Sequence, residues 1–115
     1  MVALPFELRY HPAVRDTDIP RLNETLKQRI KKAIEERLSI APQKYGHPLK
    51  KTLKGYWKLR VGDYRVIFKI NGNEVWILAI INRRDVYTKI FKRICLIKGV
   101  GFGYFRIYIG KVGFF

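Results

Sequence analysis

The stretch Lys58–Ile70, KLRVGDYRVIFKI, decides the fold class. Apolar residues fall on alternate positions on either side of Val61-Gly62-Asp63, which is the period of a strand with one buried face. A glycine between two such runs suits a tight turn, so the stretch reads as a β-hairpin. Its arms carry Lys58, Arg60, Arg65 and Lys69, with Asp63 the only acid. Two explanations compete for that charge: solubility, or a site that holds phosphates.

Working outward, three strands are expected at Tyr56–Val61, Tyr64–Ile70 and Glu74–Ile81, the last two joined by a tight turn at Asn71-Gly72-Asn73. VWILAII at 75–81 is apolar throughout and should lie inside the sheet, covered on both faces. Upstream, FELRY at 6–10 alternates and predicts a first strand with Phe6, Leu8 and Tyr10 on one face. HPAVRDTD at 11–18 predicts a short helix or turn, with His11 leading into it and Pro12 where a first helical residue is tolerated. Asp18, near Pro20, then reads as a helix-start signal. From Pro20 to Leu38 the residues Leu22, Leu26, Ile30, Ala33, Ile34 and Leu38 recur at three- and four-residue steps, one buried stripe of an amphipathic helix. Lys27, Arg29, Lys31, Lys32 and Glu35 form its outward face.

APQKYGHP at 41–48 reads as a loop, and PLKKTLKG at 48–55 as a basic connector. RRDVYTKIFKRI at 83–94 predicts a short helix, with Val86, Ile90 and Ile94 at helical spacing and Tyr87 and Phe91 beside them. The order β-α-α-β-β-β-α implies an α+β fold: a small antiparallel sheet with its N-terminal helices packed on one side. The basic hairpin would lie on the uncovered face. Residues 95–115, CLIKGVGFGYFRIYIGKVGFF, are apolar, aromatic and glycine-punctuated, with no acid. Their composition differs from the rest, so 1–94 is read as the functional domain and 95–115 as an extension of unknown role.

A chain of 115 residues fits one domain, and 48% hydrophobic residues exclude wholesale disorder. The net charge of +15 attracts polyanions, with nucleic acid ahead of an anionic membrane surface. Cys95 is the only cysteine, so no internal disulfide can form and a reducing, cytoplasmic setting fits. Its expected role is a small buried hydrophobe. His11, His47 and Cys95 offer no metal-ligand spacing, and no cofactor motif is present. The N-terminus lacks the pattern of a signal peptide, and no apolar run reaches membrane-spanning length.

HPAV at 11–14, PLK…LKGYWKLRVGDYRVIFKI from Pro48 to Ile70, and RRDVY at 83–87 together resemble the RelE/ParE toxin superfamily of bacterial and archaeal toxin–antitoxin modules. The likeness spans residues 5–94. Its RelE branch implies a metal-independent endoribonuclease that cuts messenger RNA in the ribosomal decoding site, the RNA's own 2′-hydroxyl attacking the adjacent phosphate. Carried over by position, Lys58 would neutralise that phosphate and Arg65 would stabilise the transition state. Arg83 would assist departure of the 5′-oxygen, and Tyr87 would orient or stack on the reacting nucleotide. Arg60, Arg84, Lys50, Lys51 and Lys54 are further candidate RNA or phosphate contacts. The likeness also implies an antitoxin partner.

Two positions depart from the pattern. Tyr56 stands where relatives carry a second lysine, with Lys54, Lys50 or Lys51 as candidates to reach in, and Asn82 where many carry histidine, so the proton-transfer residue is unassigned. The alternatives are a ParE-like gyrase poison without ribonuclease activity and a decayed RNA-binding relative. Individual residues carry alternatives as well. Lys58 and Arg60 suit a solvated face, Arg65 a pairing with Asp63 or Asp85, and Tyr87 a core position. His47 suits an inert loop position more than acid–base work. Trp57 and Trp76 suit sheet cover more than base stacking.

Overall fold

The computed structural model describes residues 5–50 and 53–94. A five-stranded sheet, in the order β1-β5-β4-β3-β2, is built from β1 (Glu7–Tyr10), β2 (His47–Pro48), β3 (Trp57–Val61), β4 (Tyr64–Asn71) and β5 (Glu74–Asn82). The neighbours β2–β3, β3–β4 and β4–β5 run antiparallel, as the hairpin readings require. β1 adds one parallel pair, with Glu7 opposite Glu74 and Tyr10 opposite Ile77. The fold is α+β, and the extension at 95–115, with Cys95, lies outside the described residues.

The helical stripe buries as expected, but its start differs. Ile19–Arg21 form a separate single turn, and α1 spans Glu24–Ala33, continued by a wider helical turn at Ile34–Leu38. The cap is Asn23, whose Oδ1 accepts the Leu26 N–H at 2.8 Å. Asp18 therefore does not start this helix; it is buried and engaged elsewhere. Ile30, Ala33, Ile34 and Leu38 pack on the sheet face formed by Leu59, Val61, Val66, Phe68, Val75, Ile77 and Ile80.

The opposite face is not bare. Residues 86–94 form a helix, α3, that buries Val86, Ile90 and Ile94 against Ile67, Trp76, Leu78, Ala79 and Ile81. Two cores thus sandwich β5, which explains its unbroken apolar run. A bulge helps: Ile67 opposes Ala79 while Phe68 opposes Ile77, leaving Leu78 as an extra residue. Consecutive residues Leu78 and Ala79 then both reach the second core.

The expected loop at 41–48 is ordered. α2 (Pro42–Tyr45) makes one turn, and His47–Pro48 pair with β3 at the sheet edge. Gly46 permits this approach, because a Cβ there would stand 2.5 Å from Cζ of the buried Phe68 ring.

Candidate functional site

In an antiparallel pair, residues directly opposite share a face. Lys58 opposes Ile67, and Arg60 opposes Arg65, so these side chains point away from α1 while Leu59, Val61 and Val66 point toward it. The alternation that buries one side of the hairpin therefore delivers its cations to the other. α3 covers the β5 portion of that face and leaves the β3 end open.

Arg60 directly opposite Arg65 is an arrangement that destabilises a sheet unless an anion offsets it. Arg65 Nη1 donates to the carbonyls of Gly62 and Tyr64, each at 3.0 Å, which ties the guanidinium to its own turn. Its predicted alternative, pairing with Asp63 or Asp85, is not the arrangement found. Burial first, then the charges of Arg60 and Arg83, push Arg65 below the ordinary arginine value, with Asp63 opposing. Arg65 remains protonated near neutral pH. Beyond burial, the direction reflects the crowding of three cations.

Arg83 begins the single turn after β5, capped by Asn82, whose Oδ1 accepts the Arg84 N–H at 3.1 Å. Arg83 N–H donates to the Asp63 carbonyl at 2.8 Å, which holds it beside the hairpin turn. Its Nε lies 3.8 Å from Asp63 Oδ1, an exposed pair of little strength.

An open cavity of about 460 Å3 is lined by His47, Pro48, Lys50, Lys58, Arg60 and Arg65. Among the described residues, no carboxylate lines it. A second cavity of about 370 Å3, behind the turn, is lined by residues that include Arg29, Lys32, Glu36, Arg37 and Gly62, and Arg60 borders both. Gly62 has φ 59°, and a Cβ there would lie 3.2 Å from Arg29 Nη1.

Of the sequence candidates, Lys50, Lys58, Arg60 and Arg65 come together around one space, with Arg83 in electrostatic reach. Arg84 and Tyr87 are exposed but do not line it, Lys54 stands apart in the turn before β3, and Lys51 lies outside the described residues. Tyr87 is 69% exposed and its helical neighbour Phe91 47%, so the core alternative for Tyr87 is ruled out.

His47 sits not in a loop but in β2, where it opposes Lys58 and lines the cavity. Pro48, a residue tolerated at a sheet edge, was the one sequence feature compatible with such a pairing. Tyr56, at the departing position, is buried among Leu49, Leu53 and Trp76, with Lys69 Nζ 5.4 Å from its ring centroid. Burial pushes its phenol up, away from any role as a base near neutrality. Both tryptophans serve packing: Trp57 stacks on Phe68 at 6.3 Å, and buried Trp76 donates to Glu74 Oε1 at 3.2 Å. Among the described residues, no group of three His, Cys, Asp or Glu side chains is placed to hold a metal ion, and no helix is long and apolar enough to cross a membrane.

The chain matches a family model described as the ParE toxin of the type II toxin–antitoxin system parDE, over residues 8–87. It is 27% identical to a chain in the crystal structure of the toxin–antitoxin complex RelBE2 from Mycobacterium tuberculosis, with a TM-score of 0.64, covering 69% of this chain and 99% of that one. A chain of the RelB–RelE antitoxin–toxin complex from Methanococcus jannaschii shares the fold at 22% identity, with a TM-score of 0.55, covering 69% and 94% respectively. No curated protein matches the chain.

Proposed function

Because the chain belongs to the ParE toxin family of type II toxin–antitoxin systems, within the RelE/ParE superfamily, we propose that its toxic activity is metal-independent cleavage of messenger RNA in the ribosomal A site. The observation that carries this reading is Arg60 directly opposite Arg65, beside Lys58, on the rim of a cavity without a carboxylate among the described residues. Such a cluster suits a phosphate whose negative charge grows during reaction. Lys58 and Arg65 meet the non-bridging oxygens, and Arg83 offsets charge on the departing 5′-oxygen. Exposed Tyr87 stacks on or orients a base. Arg60, Lys50, Lys51, Lys54 and Arg84 guide the strand. Attack by the 2′-hydroxyl yields a 2′,3′-cyclic phosphate and a 5′-hydroxyl.

The functional domain is residues 1–94, and 95–115 is an extension. The partner is an antitoxin with an acidic segment suited to the +15 charge, in keeping with the toxin–antitoxin complexes among the structural neighbours. A ParE-like gyrase poison is the second reading, favoured by the family model itself. A decayed RNA-binding relative is the third, favoured by buried Tyr56 and by Asn82 acting as a cap.

Induced expression of wild type, Arg65→Ala and Arg83→Ala, with cleaved messenger mapped across reading frames, separates them. Arrest with in-frame cuts, lost in both folded variants, supports the nuclease. Arrest with intact messenger and inhibited gyrase supercoiling sinks it in favour of the second reading. Salt-dependent RNA binding without cyclic-phosphate ends favours the third.

A further inference from the structure

The geometry points to His47 as the group that takes the proton from the attacking 2′-hydroxyl, an assignment that rests on the ribonuclease reading above. Cleavage of this kind requires an acceptor for that proton, and the positions where the family resemblance implies one hold Tyr56 and Asn82. Tyr56 is buried and Asn82 caps the turn after β5. The charged side chains that face His47 across the cavity are Lys50 from the connector, Lys58 and Arg60 from β3, and Arg65 from β4. All four are hydrogen-bond donors of the cationic side-chain types, suited to holding phosphate oxygens. Among the described residues lining the cavity, His47 alone carries an imidazole, the side chain best suited to accept a proton in general base catalysis.

Its placement is built into the edge of the sheet. His47 opposes Lys58 in an antiparallel register, so the two side chains share a face with Cβ atoms about 5 Å apart. Gly46, against the Phe68 ring, brings the backbone close enough for that pairing. A phosphate held by Lys58 and Arg65 places the neighbouring ribose within reach of the imidazole.

The step balances without a further reactant. The O2′–H bond breaks and its proton passes to a ring nitrogen of His47. The O2′ electron pair forms the bond to phosphorus, and the P–O5′ bond breaks with its pair going to O5′. O5′ takes a proton from water, and the imidazolium returns its own to solvent.

The test uses the purified full-length chain on messenger-programmed ribosomes, with RNA ends identified and rates followed from about pH 5.5 to about pH 8 across the imidazole range. Wild type is compared with His47→Gln and with His47→Ala, the latter with and without added imidazole. His47→Gln is expected to slow cleavage by about 10²–10⁴-fold and to lose the acid limb of the profile. Imidazole is expected to restore His47→Ala in proportion to its concentration. Cyclic-phosphate ends from His47→Gln at the wild-type rate and profile would overturn the assignment while leaving the nuclease intact. Wild type that binds RNA but generates no such ends would overturn both, through the nuclease reading.

Discussion

Arg93 grips both carboxylate oxygens of Asp18, with Nη1 at 2.6 Å from Oδ2 and Nη2 at 3.0 Å from Oδ1. β1 ends opposite Ile77, and beyond that point these two side chains serve the free edge of β5. Asp18 Oδ2 accepts the Ile80 N–H at 2.9 Å, and Arg93 Nη1 donates to the Leu78 carbonyl at 3.0 Å. The pair thereby fastens α3 on one face to the segment before α1 on the other. Removing one partner leaves a buried charge uncompensated, so Arg93→Met is expected to cost about 3 kcal/mol. Asp18→Asn should also destabilise, and the double variant should recover at least about 1 kcal/mol of the summed loss. Urea unfolding of the four proteins measures this. An Arg93→Met protein as stable as wild type would show that α3 is held by packing alone.

A pH dependence follows at His11. Burial first, then the positive charge of Arg93, push its imidazole down to about 4 from 6.5, against the pull of Asp18. Its Nδ1 accepts the Ala13 N–H at 3.0 Å, a bond the neutral ring provides. The unfolded chain takes up a proton near the ordinary value while the folded chain resists until about 4. This contribution to stability is complete above about pH 6.5 and is lost as pH falls toward about 4. His11→Asn, which does not titrate, should flatten that part of the curve. Unfolding midpoints of both proteins across the window decide it, and parallel curves would count against the assignment.

At Arg65, geometry and charge make separate contributions. Arg65→Ala should reduce RNA cleavage by about 10²–10³-fold, as loss of one transition-state donor does. Arg65→Lys keeps the charge but loses the planar guanidinium, whose Nη1 is held by the Gly62 and Tyr64 carbonyls and whose other donors stay available, and it should restore little of the activity. Thermal melts must show both variants folded. Full activity in Arg65→Lys would reduce the residue to a point charge.

Tyr87 offers a cleaner separation of stability from activity. Because it is 69% exposed, Tyr87→Ala should shift stability by less than about 0.5 kcal/mol. Its effect should fall on cleavage, by about 1–3 kcal/mol of stacking, with Tyr87→Phe retaining most of it. Equal cleavage by all three proteins would remove Tyr87 from the site.

Much of this was legible in the sequence, because strands and amphipathic helices repeat at short periods. The hairpin, the doubly covered β5 and the buried residues Val86, Ile90 and Ile94 all declare themselves within a dozen residues. Long-range partners do not. Asp18 and Arg93 meet 75 residues apart, so Asp18 looked like a helix start because Pro20 stood nearby. α2 and β2 are too short to show any period, and so the segment that carries His47 read as loop. The parallel pairing of β1 is equally silent, since alternation in a strand says nothing of the direction of its neighbour. The cluster of Lys58, Arg60 and Arg65 was visible from the hairpin alone, whereas the wall opposite it was not.

One consequence of the hairpin reaches beyond this site. Leu59, Val61 and Val66 hold the sheet to α1, while Lys58, Arg60 and Arg65 on the intervening positions hold nothing in the core. On the ribonuclease reading, harm and shape are written on different letters of the same short word. A chain with those three cations neutralised keeps its scaffold, and relief of the Arg60–Arg65 repulsion makes the sheet firmer. Such a chain, harmless to its host on that reading, would still occupy any antitoxin that recognises the scaffold rather than the cations. It would act as a decoy, freeing active copies that the antitoxin would otherwise restrain.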